Sequence, residues 1–441
     1  MSAERYVVLG LAHVRSAWFT EVARWSTAGS LPVEFVKCLS LEELRARVGS
    51  GRPFSGALLD ARLLSVDRDL LATLADAGIP SLVVTTPQEA RDWESLGAIA
   101  SLADPLARED LLGALGDHCQ LIDGMDGELA SIDPGTAVGS ATWRGRLVAV
   151  AGHPGAGTST LAAALAQSLA DDPRYAGDVV LADLARRAHQ ALLHDARDVV
   201  PGIQELVEAH RTGRPSHDQL RHLAFEVPDR GYRLVLGLRR PRDWVSIRSR
   251  AFGAALEGLR RSSRIVVADI DADLEGEAAT GSHDIEDRNL MARTVASEAD
   301  LVVVVATPTA PGIHGLVNQL EDLRAHGISG DRLLVVVNRA PRQARARAEL
   351  TRVIATLTGA TERPDPHLGP AFVAERRGVD QLHRDLARFP KGLADPGGGA
   401  VRELLDRLPA HARLDRADVP VAIVPGSLGR WSEDMEEEAG P

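Results

Sequence analysis

The chain has 441 residues, 44% hydrophobic and 25% charged, which is enough for two or three globular domains and unlike a disordered or fibrous composition. Its net charge of -12 argues against nucleic-acid binding through a generic basic surface. The two cysteines, Cys38 and Cys119, are too few for a disulfide framework and lack metal-site spacing, so they read as small apolar residues in a reducing compartment.

The first residues, Met1-Ser2-Ala3-Glu4-Arg5, lead straight into a strand-like run without a basic segment and long apolar core, so no signal peptide is expected. The longest apolar runs, such as 301–306, are far too short to span a bilayer, and the expected location is cytoplasmic. Only Lys37 and Lys391 are lysines, so no lysine lies between residues 38 and 390.

Residues 1–118 alternate between apolar strands and helical stretches. Strands are predicted at 6–11, 33–38, 56–59, 81–85 and 98–102, and helices at 16–28, 41–48, 68–77, 87–96 and 108–117. The third strand ends at Asp60. Five β/α units with an aspartate at that place resemble a response-regulator receiver domain, a flavodoxin-like sheet. Asp60 then matches the phosphoacceptor of that family. The rest of the receiver chemistry is missing. Gly10-Leu11-Ala12-His13 stands where receivers carry the acidic pair that holds Mg²⁺, and Ala103-Asp104-Pro105 offers no lysine after strand five. Thr85 or Thr86 matches the position of the hydroxyl switch residue. Without acids for the cation, phosphorylation of Asp60 loses its metal catalyst, and a degenerate receiver used for contacts is expected.

A Gly-, Asp- and Ser-rich stretch, 119–143, reads as a linker. The second domain is placed at 144–413. Its strands are predicted at 146–150, 178–182, 232–236, 264–268, 301–306 and 333–337, with an edge strand at 371–374. The runs 301–306 and 333–337 look like central parallel strands, buried on both faces. Helices are predicted at 160–170, 200–212, 246–261, 289–296, 312–326, 342–358 and 401–408. The result is a doubly wound, mainly parallel α/β domain, with its ligand at the carboxyl ends of the strands. Residues 414–441 form an acidic tail, with a short strand possible at 418–424 and Trp431 and Met435 as conceivable anchors.

The chemistry is concentrated at Gly152-His153-Pro154-Gly155-Ala156-Gly157-Thr158-Ser159-Thr160, between a strand and a helix. Glycines there let backbone N–H groups close round an anion, and the helix N-terminus adds a favourable dipole. Gly152, Gly157 and Ser159 match the phosphate-binding pattern G-x-x-x-x-G-K-[ST], but Thr158 stands where the lysine belongs. Ser159 is the hydroxyl expected on Mg²⁺, and Asp269, ending an apolar strand, matches a Walker B acid.

The order of this loop, the strand ending at Asp183, the strand ending at Asp269, the run 301–306 before Thr307-Pro308, and Val337-Asn338-Arg339 resembles the ParA/MinD family of deviant Walker ATPases. Together with the receiver-like N-terminus, it resembles the TadZ/CpaE branch, whose members localise the assembly machinery of Flp (tight adherence) pili. The resemblance implies that Asn338, with Arg339 beside it, lies at the adenine. It places Asp183 near Mg²⁺ and the γ-phosphate, as the one candidate catalytic acid. ATP or ADP with Mg²⁺ is the implied cofactor. The implied partners are a second copy, joined through the loop domain, and pilus or secretion proteins that recruit the chain to a pole or the inner membrane face. Neither membrane insertion nor DNA binding is expected.

Two family lysines are replaced here, by His153 and Thr158, and the water-orienting acid of the second strand is Ala185. Lost cations at that place remove stabilisation of transition-state charge. Arg186, Arg187 and Arg339 are the nearest substitutes by position, and His153 is mostly neutral at pH 7 with a reference pKa of ~6.5. Weak or absent hydrolysis with retained nucleotide binding is the expectation. An active ATPase that positions DNA or protein cargo and a scaffold that binds no nucleotide remain as alternatives.

Overall fold

The computed structural model describes residues 5–13, 16–89, 91–122, 143–196, 198–360 and 362–408. They form two α/β units, each built on its own sheet. The first contains β1 (Tyr6–Leu11), β2 (Val33–Cys38), β3 (Gly56–Asp60), β4 (Ser81–Thr85) and β5 (Ala100–Ala103). These strands are all parallel, in the flavodoxin-like order β2-β1-β3-β4-β5. Alternation along β3 sends Ala57 and Leu59 into one core layer and Leu58 into the other. Helices Leu41–Val48, Arg68–Asp76 and Trp93–Leu96 cover the first layer with Leu44, Leu70, Leu74 and Trp93. Helices Ala17–Thr27 and Arg108–His118 cover the second with Trp18, Val22, Leu111 and Leu115.

The helix predicted from residue 87 starts only at Trp93. The Asp92 carboxylate accepts from the Ser95 N–H at 3.1 Å and caps it there, while Pro87 and Gln88 lie in a turn. The fifth strand falls two residues later than predicted. Residues 119–122, read as linker, run back along the first unit, where Ile122 bridges Arg5. Both cysteines are free thiols, and burial pushes each up to about 11.

The second unit contains β6 (Arg146–Gly152), β7 (Val179–Asp183), β8 (Phe225–Val227), β9 (Tyr232–Val235), β10 (Ile265–Asp269), β11 (Leu301–Ala306), β12 (Leu333–Ala340) and β13 (Leu368–Ala374). Their order is β13-β12-β11-β6-β10-β7-β9-β8, parallel except for β8 against β9. This is a doubly wound, mainly parallel sheet, with the loop strand β6 at its centre between β10 and β11. Every residue of β7, β10 and β11 is buried, as expected of strands covered on both faces.

Short helices at Gln190–Leu193, His217–His222, Glu277–Thr280, His283–Arg288 and Val379–Arg384 were not predicted, and three further elements depart from the sequence reading. The short strand β8 was not predicted; it pairs with β9 across the 3-10 turn Pro228–Arg230, where Gly231 takes φ +77°. Strand β13 starts three residues early, through a register irregularity against β12. The last helix is Lys391–Arg407 rather than 401–408, and it runs through Pro396 and four glycines. Local propensity disfavours that start, but packing requires it. A Cβ on Gly398 would lie 2.2 Å from Ser168 Oγ, so only a bare backbone fits against helix Thr158–Ala170.

Helix Arg68–Asp76 of the first unit lies against the second unit. Arg211 pairs with Asp67 at 2.8 Å, Arg250 pairs with Asp76, and the Arg250 N–H donates to Asp69 at 2.9 Å. Among the described residues no helix is long and apolar enough to cross a membrane. The linker interior (123–142), the strand expected at 418–424 and the acidic end with Trp431 and Met435 lie outside the described residues.

Candidate functional site

The loop joins β6 to helix Thr158–Ala170 at the centre of the sheet. Three of its glycines are required by geometry. Gly155 and Gly157 both take φ +85°, a region that side chains disfavour. A Cβ on Gly152 would meet the Val305 carbonyl oxygen at 2.8 Å and Thr158 Oγ1 at 2.5 Å. One on Gly157 would meet Asn338 Nδ2 at 2.6 Å. The Ala156 N–H donates to the His153 carbonyl at 3.0 Å and closes a turn. The 13-residue helix that follows has glycine as its N-cap, no side-chain capping bond and no acid in its first turn. Its orphan N–H groups therefore remain available to an external anion.

No cation faces these groups from the loop itself. Thr158 has the lysine's place. The ring of His153 lies beside helix Ala310–Ala325, where a Cβ on Gly315 would come within 2.8 Å of it. Arg186 is engaged elsewhere, with its N–H donating to Asp271 at 2.8 Å and Nη1 to Asn289 at 3.4 Å. Arg187 and Arg339 are exposed, and Arg339 has φ +54°. Ala185, the position to which the resemblance assigns an acid, is buried. Thr160 Oγ1 lies 3.0 Å from His383 Nε2, and His383 Nδ1 lies 3.1 Å from the Leu193 carbonyl. His383 thereby ties a late helix to the loop.

Asn338 is also committed. Its Nδ2 donates to the Ala156 carbonyl at 2.8 Å, and its Oδ1 accepts from the Arg339 N–H at 2.9 Å. The side chain that the resemblance puts at adenine here braces the loop.

Below the loop, β7 and β10 end on two acids in direct register, Asp183 opposite Asp269. Both are buried, at 0% and 2% exposure. The sequence reading missed the residue between them. Gln190 donates Nε2 to Asp269 Oδ2 at 2.8 Å and to the Ser159 carbonyl at 3.0 Å, and its N–H to Asp183 Oδ2 at 2.8 Å. Asp183 Oδ1 and Gln190 Oε1 are buried without a hydrogen-bond partner among the described residues. Burial, followed by the charge of Asp269, holds Asp183 well above the usual carboxylate range. Burial pushes Asp269 up to about 6, against hydrogen bonds from Ser159 and Gln190. A pair so short of positive charge, with orphaned oxygens and the Ser159 hydroxyl nearby, matches in kind the hard oxygen donors that Mg²⁺ takes. The amide of Gln190 occupies one oxygen of Asp269, so a cation there competes with it. Gln190 carries no motif, which is why its role was illegible.

Asp60, the candidate phosphoacceptor, is 1% exposed. Arg62 Nε reaches its Oδ1 at 2.9 Å and Arg62 Nη2 its Oδ2 at 3.0 Å, while the Arg62 N–H donates to Oδ1 at 3.0 Å. Ser16 Oγ donates to Oδ2, and the His13 N–H reaches it at 3.3 Å. Burial acts to raise its pKa, but the bonds from Arg62 and Ser16 outweigh that and hold the carboxyl below its usual range. Both oxygens are engaged by a fixed cation. Arg62, two residues after Asp60, was the signal available in the sequence.

The chain is similar to a ParA family ATPase from Chlorobium tepidum TLS, with 13% identity over 60% of this chain and 99% of that one and a TM-score of 0.47. It is similar to a plasmid partition protein from Borrelia burgdorferi B31 bound to AMPPNP, with 14% identity, 60% and 100% coverage and a TM-score of 0.43. It is also similar to the cell division ATPase MinD of Pyrococcus furiosus, with 16% identity, 59% and 99% coverage and a TM-score of 0.43. No family model matches the chain, and no curated protein matches it.

Proposed function

We propose that the chain is a nucleotide-binding localisation and assembly factor of the TadZ/CpaE type, serving a Flp (Tad) pilus or a related secretion system, with weak or absent hydrolysis. The observation that carries this reading is the uncapped helix N-terminus behind a glycine-shaped loop that holds no cation. Backbone N–H groups and the helix dipole bind phosphate irrespective of the side chain at 158. In this reading residues 152–160 hold the phosphates of ATP or ADP. Ser159 and Asp269 would hold Mg²⁺, which supplies neutralisation of phosphate charge when bound. Asn338 and Arg339 border the base.

Turnover is a different matter. An absent transition-state cation costs roughly 10³–10⁵ in rate, by analogy with an arginine finger. The role is therefore a nucleotide-set conformation or dimer rather than a cycle of hydrolysis. Residues 5–122, with Asp60 closed by Arg62, act as a contact module. Its partners are a second copy of the chain and proteins of the pilus or secretion machine, which recruit it to a pole or the inner membrane face.

Isothermal titration with ATP and Mg²⁺, paired with a phosphate-release assay, tests the proposal. Saturable binding with turnover at background is expected. Steady turnover abolished by Asp269→Ala would establish an active ATPase instead. A second reading, a scaffold that binds no nucleotide, draws on Gln190 seated on Asp269 and on the Asn338 bond to Ala156; absence of binding heat would select it. A secretion ATPase gene and a pilin gene beside this one support the pilus assignment, and their absence counts against it.

A further inference from the structure

Where helix Arg68–Asp76 meets the second unit there is a cavity of about 370 Å³. Arg68 and Ser95 of the first unit line it, together with His210, Arg214, His217 and Arg261 of the second. Its volume is within the range of small-molecule sites, roughly 300–1,000 Å³.

Three other arginines at this boundary have acidic partners. Arg211 is held by Asp67 and Glu208, Arg250 by Asp76, and Arg261 by Glu257. Glu257 also lines the cavity, but it is shared between Arg261 at 2.9 Å and Arg144 at 3.6 Å. Arg68 and Arg214 have no carboxylate in hydrogen-bond or ion-pair contact among the described residues. Arg68 Nε and Nη2 donate to the carbonyls of His210 at 2.9 Å and Gly213 at 3.4 Å. These bonds fix the guanidinium across the boundary and bring it beside Arg214. Burial lowers the Arg68 pKa, the adjacent Asp69 acts against this, and Arg214 adds to it. Asp69 itself turns one oxygen to the Arg250 N–H at 2.9 Å, and its other oxygen has no hydrogen-bond partner among the described residues.

Two guanidinium groups, one from each unit, thus lie at a concave, half-buried space whose own carboxylate, Glu257, is held by Arg261 and Arg144. We propose that this cavity is a second anion site, distinct from the loop, that takes a phosphate-bearing small molecule of mononucleotide size. Arg68, through the Nη1 edge left free by its bonds to the two carbonyls, and Arg214 grip its phosphates. Because the two arginines come from different units, the bound anion cross-links them, and its occupancy sets how firmly the receiver-like unit is docked.

The test uses the full chain and inorganic pyrophosphate at low ionic strength, by isothermal titration. Thr158→Glu places a carboxylate in the loop and removes that site from the measurement. One saturable pyrophosphate site is expected to remain in this variant. Adding Arg214→Ala, at an exposed position, or Arg68→Ala weakens that site at least tenfold, and Arg214→Lys weakens it less. Retained affinity in both arginine variants overturns the proposal. So does loss of all binding in Thr158→Glu alone, which would assign the anion to the loop, or absence of saturable binding in the wild-type chain.

Discussion

The two units each bury carboxylates at the ends of central strands, and those charges are answered in opposite ways. At Asp60 a fixed cation has been installed. Arg62 and Ser16 cover both carboxylate oxygens, and the acid titrates below its usual range. At Asp183 and Asp269 no cation is present among the described residues. A neutral amide, Gln190, spans the pair, and both acids titrate high. The first site is electrostatically complete and has nothing to offer a ligand. The second is deficient in positive charge beneath a loop whose N–H groups are uncapped, the arrangement on which the proposed nucleotide site rests.

The sharpest way to break this contrast is Arg62→Ala. It leaves Asp60 buried with its charge only partly answered, and a loss of about 3 kcal/mol is expected by urea unfolding at pH 7, toward the low end for a broken buried pair because Arg62 itself is partly exposed. The pH slope supplies a check of sign. Asp60 has a depressed folded-state pKa, so its contribution is present above the unfolded value of ~3.9 and fades as pH falls through the folded value. In Arg62→Ala that acid-side loss should disappear. A destabilisation below about 0.5 kcal/mol, a tenth or less of typical domain stability, would sink the idea of an arginine-closed site.

Gln190→Ala comes next, with an expected loss of about 2 kcal/mol at pH 8, the scale of hydrogen bonds to a charged group. Because it clears one oxygen of Asp269, Mg²⁺ should restore part of the stability of this variant and do much less for the wild type. Equal Mg²⁺ responses would show that Gln190 and the cation do not compete.

Asp183→Asn should act in the other direction. A raised folded-state pKa gives stability that is present below the unfolded value of ~3.9 and lost as pH rises through the folded value, about 6 for Asp269. Removing one charge of the pair should therefore stabilise the chain by about 1 kcal/mol at pH 7.5 and leave it unchanged at pH 4, read from the same unfolding curves. A loss at pH 7.5 would mean that Asp183 is better satisfied than its orphaned Oδ1 implies. The smallest effect is expected from Thr160→Val, which removes the contact to His383 at the cost of about 1 kcal/mol or less in stability. If nucleotide affinity falls with it, the Thr160 hydroxyl belongs to the ligand as well as to His383.

Much of the fold was legible from local pattern. The parallel strands and the glycine loop follow from β-branched runs, turn residues and helix formers a few positions apart. The misses have physical causes. Helix Lys391–Arg407 contains Pro396 and four glycines, which argue against a helix until Ser168 is seen to leave no room for a side chain at Gly398. Strand β8 is too short to show a period. In the site, the acids and glycines were legible because each is the end of a strand or a positive-φ turn. Gln190 was not, because a neutral amide on a four-residue helix has no pattern until two strands bring their carboxylates to it.

Residue identity alone settled which charges are missing from the loop. Thr158, His153 and Ala185 carry no fixed charge whatever the packing, and with no lysine between residues 38 and 390, only an arginine of that stretch can supply a cation there. Which remaining charges are answered was decided by contacts between distant positions. Ser16 reaches Asp60 across 44 residues, and Asn338 reaches Ala156 across 182. Arg68 reaches His210 across 142. A side chain's type is local, but its burial and its partner, which set its pKa and its availability, exist only once the sheets have brought those positions together.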